Sequence, residues 1–158
     1  MSITQKDKDI VRGKFENLSI KYLAMSGVYL DLIEERHVRL VMPLGEIHIN
    51  HVGTAYAGSI FILAEVASSA FMMSIFGAEK YIPIASKAEI EYLKPTKKDL
   101  VADLSISEQE AEELIKPIEE RGKGRVPLTI PISDKDGEII ANAKVVLYLL
   151  PAGEKFVK

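Results

Sequence analysis

The sequence contains no cysteine and no tryptophan, and only three histidines among 158 residues. Without cysteine there is no disulfide framework, and nothing points to an oxidising compartment. An excess of positive charge is missing too. Twenty Lys and Arg stand against 23 Asp and Glu, a net charge of −3, so no broad field exists to hold a polyanion and nucleic acid is a poor partner. Met1 runs into polar Ser-Ile-Thr-Gln-Lys-Asp with no basic start and apolar run behind it, so a secretory leader is not expected and a cytoplasmic protein is. No internal repeat, low-complexity tract or linker breaks the chain, whose length matches one domain of roughly 100–200 residues. What is present is a globular balance of 47% hydrophobic and 27% charged residues, enough apolar material to offset the entropy of ordering.

Much of that apolar material lies in one place. Ala55 to Gly77 is almost uninterrupted Ala, Ile, Leu, Val, Phe, Met and Ser, near the ~20 residues that span a bilayer. Glu65 stands close to its middle, at a cost of about 2.5–3.5 kcal/mol in a membrane. The segment therefore reads as a helix apolar on most sides, enclosed by a sheet or by other subunits, and no membrane span is expected.

Around it, Ile10, Val11, Phe15, Leu18, Tyr22 and Leu23 recur at three- and four-residue steps, predicting one amphipathic N-terminal helix within residues 1–26. Val28 to Pro43 reads as two strands turning near Glu35 and Arg36. Tyr81–Leu93 and Leu100–Ile106 alternate as strands, separated by a charged, Pro-containing turn at residues 94–99. Ser107 and Glu110 have the spacing of a capping box, so a short helix is expected to about Glu120, with Pro117 an objection to its last turn. Val126–Ser133 and Glu138–Leu150 form a hairpin across Asp134-Lys-Asp-Gly137. Residues 151–158 are expected to be a tail. The order disfavours a doubly wound parallel sheet and predicts an α+β fold, one antiparallel sheet wrapped around one long central helix.

Two features of that helix carry possible chemistry. Glu65 is an acid among apolar neighbours, which either finds donors or has its pKa raised toward the range of a general base. The lead-in, Asn50-His-Val-Gly-Thr-Ala-Tyr-Ala-Gly58, precedes a first turn whose N–H groups have no intrahelical acceptor, a natural place for partial negative charge. Each has a plainer reading, in which Glu65 reaches an edge or pairs with a Lys, and Gly53 and Gly58 only permit tight turning and packing. From Ala57 to Glu65 is about 12 Å along a helix at ~1.5 Å per residue, too far for one reacting carbonyl. The two could cooperate only across a symmetric dimer.

Asn50-xx-Gly53-xx-Tyr56-Ala57-Gly58, followed by Leu63-Ala64-Glu65, resembles the Asn-xx-Gly-xx-His-Gly-Gly and Leu-Ala-Asp/Glu signature of PaaI-like acyl-CoA thioesterases of the hotdog fold. The similarity runs from about Val28 to Leu149, and includes Ile90-Glu-Tyr-Leu-Lys-Pro95 and the Asp136-Gly137 turn. The inserted helix resembles a branch of hotdog thioesterases that carries one there. The resemblance implies a single hotdog domain over residues 1–158, hydrolysing an acyl-CoA with no metal or organic cofactor and assembling as a homodimer or homotetramer. It implies Glu65 as base or nucleophile, the Ala57 N–H as oxyanion donor and Asn50 as the orienting group, with Tyr56 as a helper and Gly58 among the substrate-binding residues.

Two departures count against full equivalence. The family's His is Tyr56 here, and the Ser or Thr that often supports the acid falls on Ala85, with Ser86 expected on the opposite face. An alternative function is therefore a non-catalytic hotdog dimer that holds an acyl or lipid-like ligand; a dehydratase is disfavoured because Tyr56 cannot replace its His. Arg121, Lys123 and Arg125, interleaved with glycine, are candidate contacts for the phosphates of coenzyme A, as are Lys94, Lys97 and Lys98; both clusters could equally be solvated turns. His48 and His51 have a metal-like spacing but no cysteine or helix to present them. Ser59, Ser68 and Ser69 lack the elbow and the base of a serine hydrolase.

Overall fold

A computed structural model describes residues 2–153. Six strands form one antiparallel sheet in the order β1-β2-β4-β5-β6-β3, where β1 is Tyr29–Glu34, β2 His37–Met42, β3 Tyr81–Tyr92, β4 Leu100–Ser105, β5 Gly124–Asp134 and β6 Ile139–Pro151. Its inner face wraps α3, Ala57–Phe76. Alternating residues such as Val38, Leu40 and Met42 of β2, or Ile130 and Ile132 of β5, are fully buried against the helix, as the two-residue period of a half-buried strand requires. This is the hotdog arrangement, and the apolar length of α3 is accounted for by its burial in the sheet.

The two hairpins turn for different reasons. At Asp134–Gly137, Gly137 takes φ 88°, and the Asp134 carboxylate accepts from the N–H groups of Asp136 at 2.9 Å and Glu138 at 3.2 Å. At Glu35–Arg36, Arg36 takes the left-handed conformation itself, with φ 58°. Its N–H donates to the Ser74 carbonyl at 3.0 Å and its own carbonyl accepts from Ile106. The fold holds in place a conformation that the side chain does not favour.

The single N-terminal helix expected from the periodicity is two: α1, Gln5–Glu16, and α2, Lys21–Ser26. The Asn17 side chain and N–H both donate to the Gly13 carbonyl, ending α1 by local competition with the helical bond. A further turn, α4, is a 3-10 helix at Glu46–His48. The inserted helix, α5, is Glu108–Arg121 with the Ser107–Glu110 capping box formed. Pro117 sits inside it, so the proline does not end it. Ala111, Ile115 and Ile118 are buried, and a Cβ at Gly124 of β5 would lie 3.0 Å from the Ile118 side chain. Packing beyond the proline holds the last turn. β6 takes up Pro151, the first residue of the expected tail, and the chain turns through Ala152 and Gly153; residues 154–158 lie outside the described residues.

The sheet is closed on one side and open on the other. The β1 edge is covered by α1. β3 is a 12-residue edge strand with most of its residues exposed. On α3, Gly58, Phe61, Ile62, Glu65, Ser69 and Met73 are the incompletely buried positions after Ala57, a stripe at three- and four-residue spacing.

Candidate active site

Tyr56 is the N-cap of α3 with an extended backbone, φ −68° and ψ 138°, and its side chain makes no capping bond. Its own N–H is used, donating to the His48 carbonyl at 2.8 Å. The following N–H groups of Ala57, Gly58 and Ser59 meet no protein acceptor among the described residues. Donors at the positive end of a 20-residue helix are left to solvent or to a ligand.

The lead-in is braced by Asn50. Its side-chain oxygen accepts from the N–H groups of Val52 at 3.0 Å and Thr54 at 3.1 Å, and its amide donates to the Thr54 hydroxyl at 2.9 Å. One amide hydrogen is left over. With Thr54, Ala57, Tyr92 and Lys94, Asn50 lines an open cavity of about 380 Å³. Tyr92 is the site residue that spacing alone did not reveal. Its hydroxyl donates to the Ala57 carbonyl at 3.0 Å, fixing the first peptide of the helix, and burial together with nearby Tyr56 raises its pKa. The available signal was its place in the Ile90–Pro95 motif.

Tyr56 is about half exposed and its ring lies over Gly58, where an added Cβ would fall 2.6 Å from a ring carbon. Gly58 is therefore needed for the ring to lie there, a closer reason than tight turning. Glu65 sits two turns further along. Its carboxylate is half-buried with no hydrogen-bond or ion-pair partner among the described residues, and burial pushes its pKa above the ordinary carboxylate value. It found no donors, which leaves the other outcome foreseen for a buried acid.

Neither Ala85 nor Ser86 supports it. A register shift between Ala85 and Lys87 interrupts the alternation of β3, and the Ser86 hydroxyl donates to the Val146 carbonyl at 2.9 Å. Arg125 faces Tyr148, its guanidinium 5.8 Å from the ring centroid. In β6 Tyr148 pairs with Ile84, whereas Tyr92 pairs with Ala141, so within one chain Arg125 and the neighbouring Arg121 and Lys123 are at the opposite end of the ladder from Ala57. Lys94 and Lys98 pair with Glu138 and Asp136 at 2.5 Å each. His48 is buried with both ring nitrogens engaged: Nδ1 accepts from the Gly45 N–H at 2.9 Å, and Nε2 is 2.6 Å from the Ser26 carbonyl. It is a strut between α4 and the end of α2, and its partners account for both metal-binding atoms.

The family profile described as a domain of unknown function (DUF4442) matches residues 14–149. Among solved structures, a Pseudomonas aeruginosa protein of unknown function, named a probable thioesterase, superposes with a TM-score of 0.78 at 28% identity, over 91% of this chain and 95% of that one. The Escherichia coli PaaI protein of the phenylacetic acid degradation operon superposes at 0.73 with 18% identity, covering 96% and 98% of the two chains. A Staphylococcus aureus thioesterase carrying a Gln-to-Ala substitution is similar at 0.66 with 19% identity, over 83% and 99%. No curated protein matches the sequence.

Proposed function

The chain belongs to the DUF4442 family, and from that premise we propose that it is an acyl-CoA thioesterase whose site is completed by a second copy of itself. The observation that carries this reading is Glu65: an unpartnered, half-buried carboxylate on the same helix that leaves its N-terminal N–H groups free. A buried acid with no partner costs stability and is retained where it has work to do. The Pseudomonas aeruginosa relative, named a probable thioesterase, points to the same chemistry.

The ~12 Å between Ala57 and Glu65 along the helix excludes one carbonyl meeting both in one chain. The long, exposed β3 edge and the open stripe on α3 are surfaces that a second copy would cover, since an unprotected edge strand invites pairing. A two-fold partner laid along β3 would bring its helix start toward Glu65. In the reaction, Glu65 takes a proton from water and the water oxygen bonds to the thioester carbon. The carbonyl oxygen gains charge and is stabilised by the Ala57 N–H, with the free Asn50 amide hydrogen orienting it and Tyr56 closing the site. The C–S bond then breaks, and Glu65 returns its proton to the departing thiolate. Direct attack by Glu65, giving a mixed anhydride that water opens, is the covalent variant of the same scheme. No metal or organic cofactor enters either scheme. Across the two-fold, Arg121, Lys123 and Arg125 are offered as contacts for the coenzyme A phosphates, with Gly58 contributing backbone at the thioester. The reaction suits a cytoplasmic enzyme.

The test is release of free thiol from a panel of acyl-CoAs. Glu65→Gln should lower kcat about 10²–10⁴-fold, the range for a lost general base; undiminished turnover would remove Glu65 from the chemistry. Light scattering should find a dimer or tetramer at assay concentration, and a monomer with full activity would end the composite site. Tyr56 in place of histidine favours the second reading, a non-catalytic acyl-binding dimer, and a copurifying ligand in native mass spectrometry with no turnover on any thioester would select it.

A further inference from the structure

Two open cavities, of about 300 and 600 Å³, meet along the C-terminal half of α3. They share five lining residues: Lys14 of α1, Ser19 and Ile20 ahead of α2, and Ser69 and Met73 of α3. Together they form one groove between the N-terminal segment and the central helix, with Val66 toward one end and Ala78 and Pro83 toward the other. Glu65 adjoins Val66, and Ser69 lies one turn further along the same face of the helix. The groove therefore begins at the proposed base and runs away from Ala57, toward the end of α3. Its N-terminal wall comes from residues ahead of Val28, where the resemblance to thioesterases begins.

Three polar side chains in the shared stretch are open. The Ser19 and Ser69 hydroxyls have no partner among the described residues, and Lys14 has no carboxylate partner there. Its ammonium makes one long bond, to the Ala78 carbonyl at 3.4 Å, which leaves two of its three donors unused. The acid on the groove wall, Glu79, pairs with Lys6 at 3.1 Å, and the Asn17 amide is engaged with the Gly13 carbonyl. A cation beside two hydroxyls in a largely apolar groove offers donors to an anionic oxygen group and leaves the rest of a ligand to apolar contact. From Glu65 to Phe76, where α3 ends near Ala78, is about 16 Å at ~1.5 Å per residue. A group held by Lys14 is thus remote from a carbonyl reacting at Glu65.

We propose that Lys14, with Ser19 and Ser69, binds an anionic oxygen group at the end of the substrate remote from the reacting carbonyl, and so sets which thioesters the protein prefers. The assignment rests on the thioesterase reading above. Two parts of an acyl-CoA carry such a group at a distance: a carboxylate closing the acyl chain, and the diphosphate beyond the pantetheine arm. Arg121, Lys123 and Arg125 are already offered to the phosphates from across the two-fold, which makes the terminal carboxylate the better match. Ile82 and Pro83 of β3 also line the groove, so a second copy laid along β3 would close its open side.

The experiment measures KM and kcat for straight-chain acyl-CoAs of six to twelve carbons, with and without a terminal carboxylate, and for the matching N-acetylcysteamine thioesters, which lack the phosphates. It compares wild type, Lys14→Met and Lys14→Arg. Lys14→Met should raise KM about five- to tenfold with kcat unchanged, the scale of one charged hydrogen bond at an exposed side chain. Lys14→Arg should restore most of the loss, and the difference should shrink at high salt. A rise confined to acyl groups with the carboxylate, on either carrier, supports the subsite with that occupant; a rise confined to coenzyme A thioesters supports it with the diphosphate. Equal KM in wild type and Lys14→Met overturns the subsite while leaving the hydrolase reading intact, and so does a rise on every thioester, including those with neither anion. If wild type turns over no thioester, the hydrolase reading fails, and calorimetric binding of S-carboxyalkyl- and S-alkyl-coenzyme A decides the subsite alone. Weaker binding by Lys14→Met supports it, and equal binding by the two proteins rejects it.

Discussion

The two ends of α3 differ in how their backbone groups are satisfied. At the C-terminal end, Met73 and Ser74 carbonyls accept from Gly77 and Arg36, the Ala78 N–H donates to the Asp7 carboxylate at 3.0 Å, and Lys14 reaches the Ala78 carbonyl. Gly77 is held so closely that a Cβ there would lie 2.9 Å from an Asp7 oxygen, at a φ of 87° that glycine tolerates. At the N-terminal end a tyrosine stands where α1 and α5 have Thr4 and Ser107 in capping boxes. The same helix is closed by the protein at one end and left open at the other. A chain that caps α1 and α5 omits the side-chain cap on α3, and these open donors are the ones that the proposed reaction assigns to the carbonyl oxygen.

The strongest way to break this contrast is Ala57→Pro. Proline is favoured at the first helical position, and Tyr56 already has the extended conformation that must precede it, so the helix should stand while one donor disappears. Thiol release should fall about 10²–10³-fold, the loss seen for one oxyanion donor, with little change in Tm. Turnover that survives the substitution would show that the open end is only structural.

Asp7→Ala tests the closed end. It removes the capping box of α1 and the bond to Ala78 together, and should cost about 1–2 kcal/mol of stability with turnover unaffected, by denaturant unfolding and thiol release in parallel. Its bonds to Thr4 and Ala78 hold the Asp7 carboxyl below its ordinary pKa. Its stabilisation is therefore present above the unfolded value of 3.8 and is lost as pH falls through the lower folded value.

Glu65 has the opposite sign. Burial raises its folded pKa above 4.5, so its favourable share of stability is complete below that pH and is lost as pH rises through the folded value. Glu65→Gln should accordingly raise Tm at neutral pH, with a smaller gain near pH 4, while it lowers kcat about 10²–10⁴-fold. A lower Tm at neutral pH would mean that the carboxylate has a structural partner. The smallest effect belongs to Tyr92→Phe, which frees the Ala57 carbonyl. A single hydrogen bond is worth about 0.5–1.5 kcal/mol, so a several-fold fall in kcat with the fold intact is the expected outcome.

The sequence was readable where its signals are local. Ser107 and Glu110, the Asp134–Gly137 turn, the alternation of β5 and β6 and the apolar run of α3 each act within a few residues, and each element formed where it was expected. The features that a local reading does not supply share a cause. The periodicity across Asn17 continues through a break made by one side chain bonding back to Gly13, and Pro117 remains in a helix because Ile118 beyond it is buried on the sheet. The bulge at Ser86 depends on pairing with β6, and Arg36 keeps a left-handed backbone through contacts with Ser74 and Ile106. No window of neighbouring residues contains those partners.

By itself the sequence determined the class of fold, the apolar helix with one acid in it, and the length that separates that acid from the helix start, because residue period and rise per residue are properties of the backbone. Only the tertiary structure decided that Glu65 has no partner among the described residues, that Tyr92 braces Ala57, that Asn50 spends most of its amide on its own loop, and that His48 is a strut. It also placed two cavities beside the helix start, one lined by Tyr56 and Gly58 and the other by Asn50 and Ala57. Hydrogen bonds and burial are settled by which distant segments meet, and those meetings depend on the packing of the whole sheet around α3.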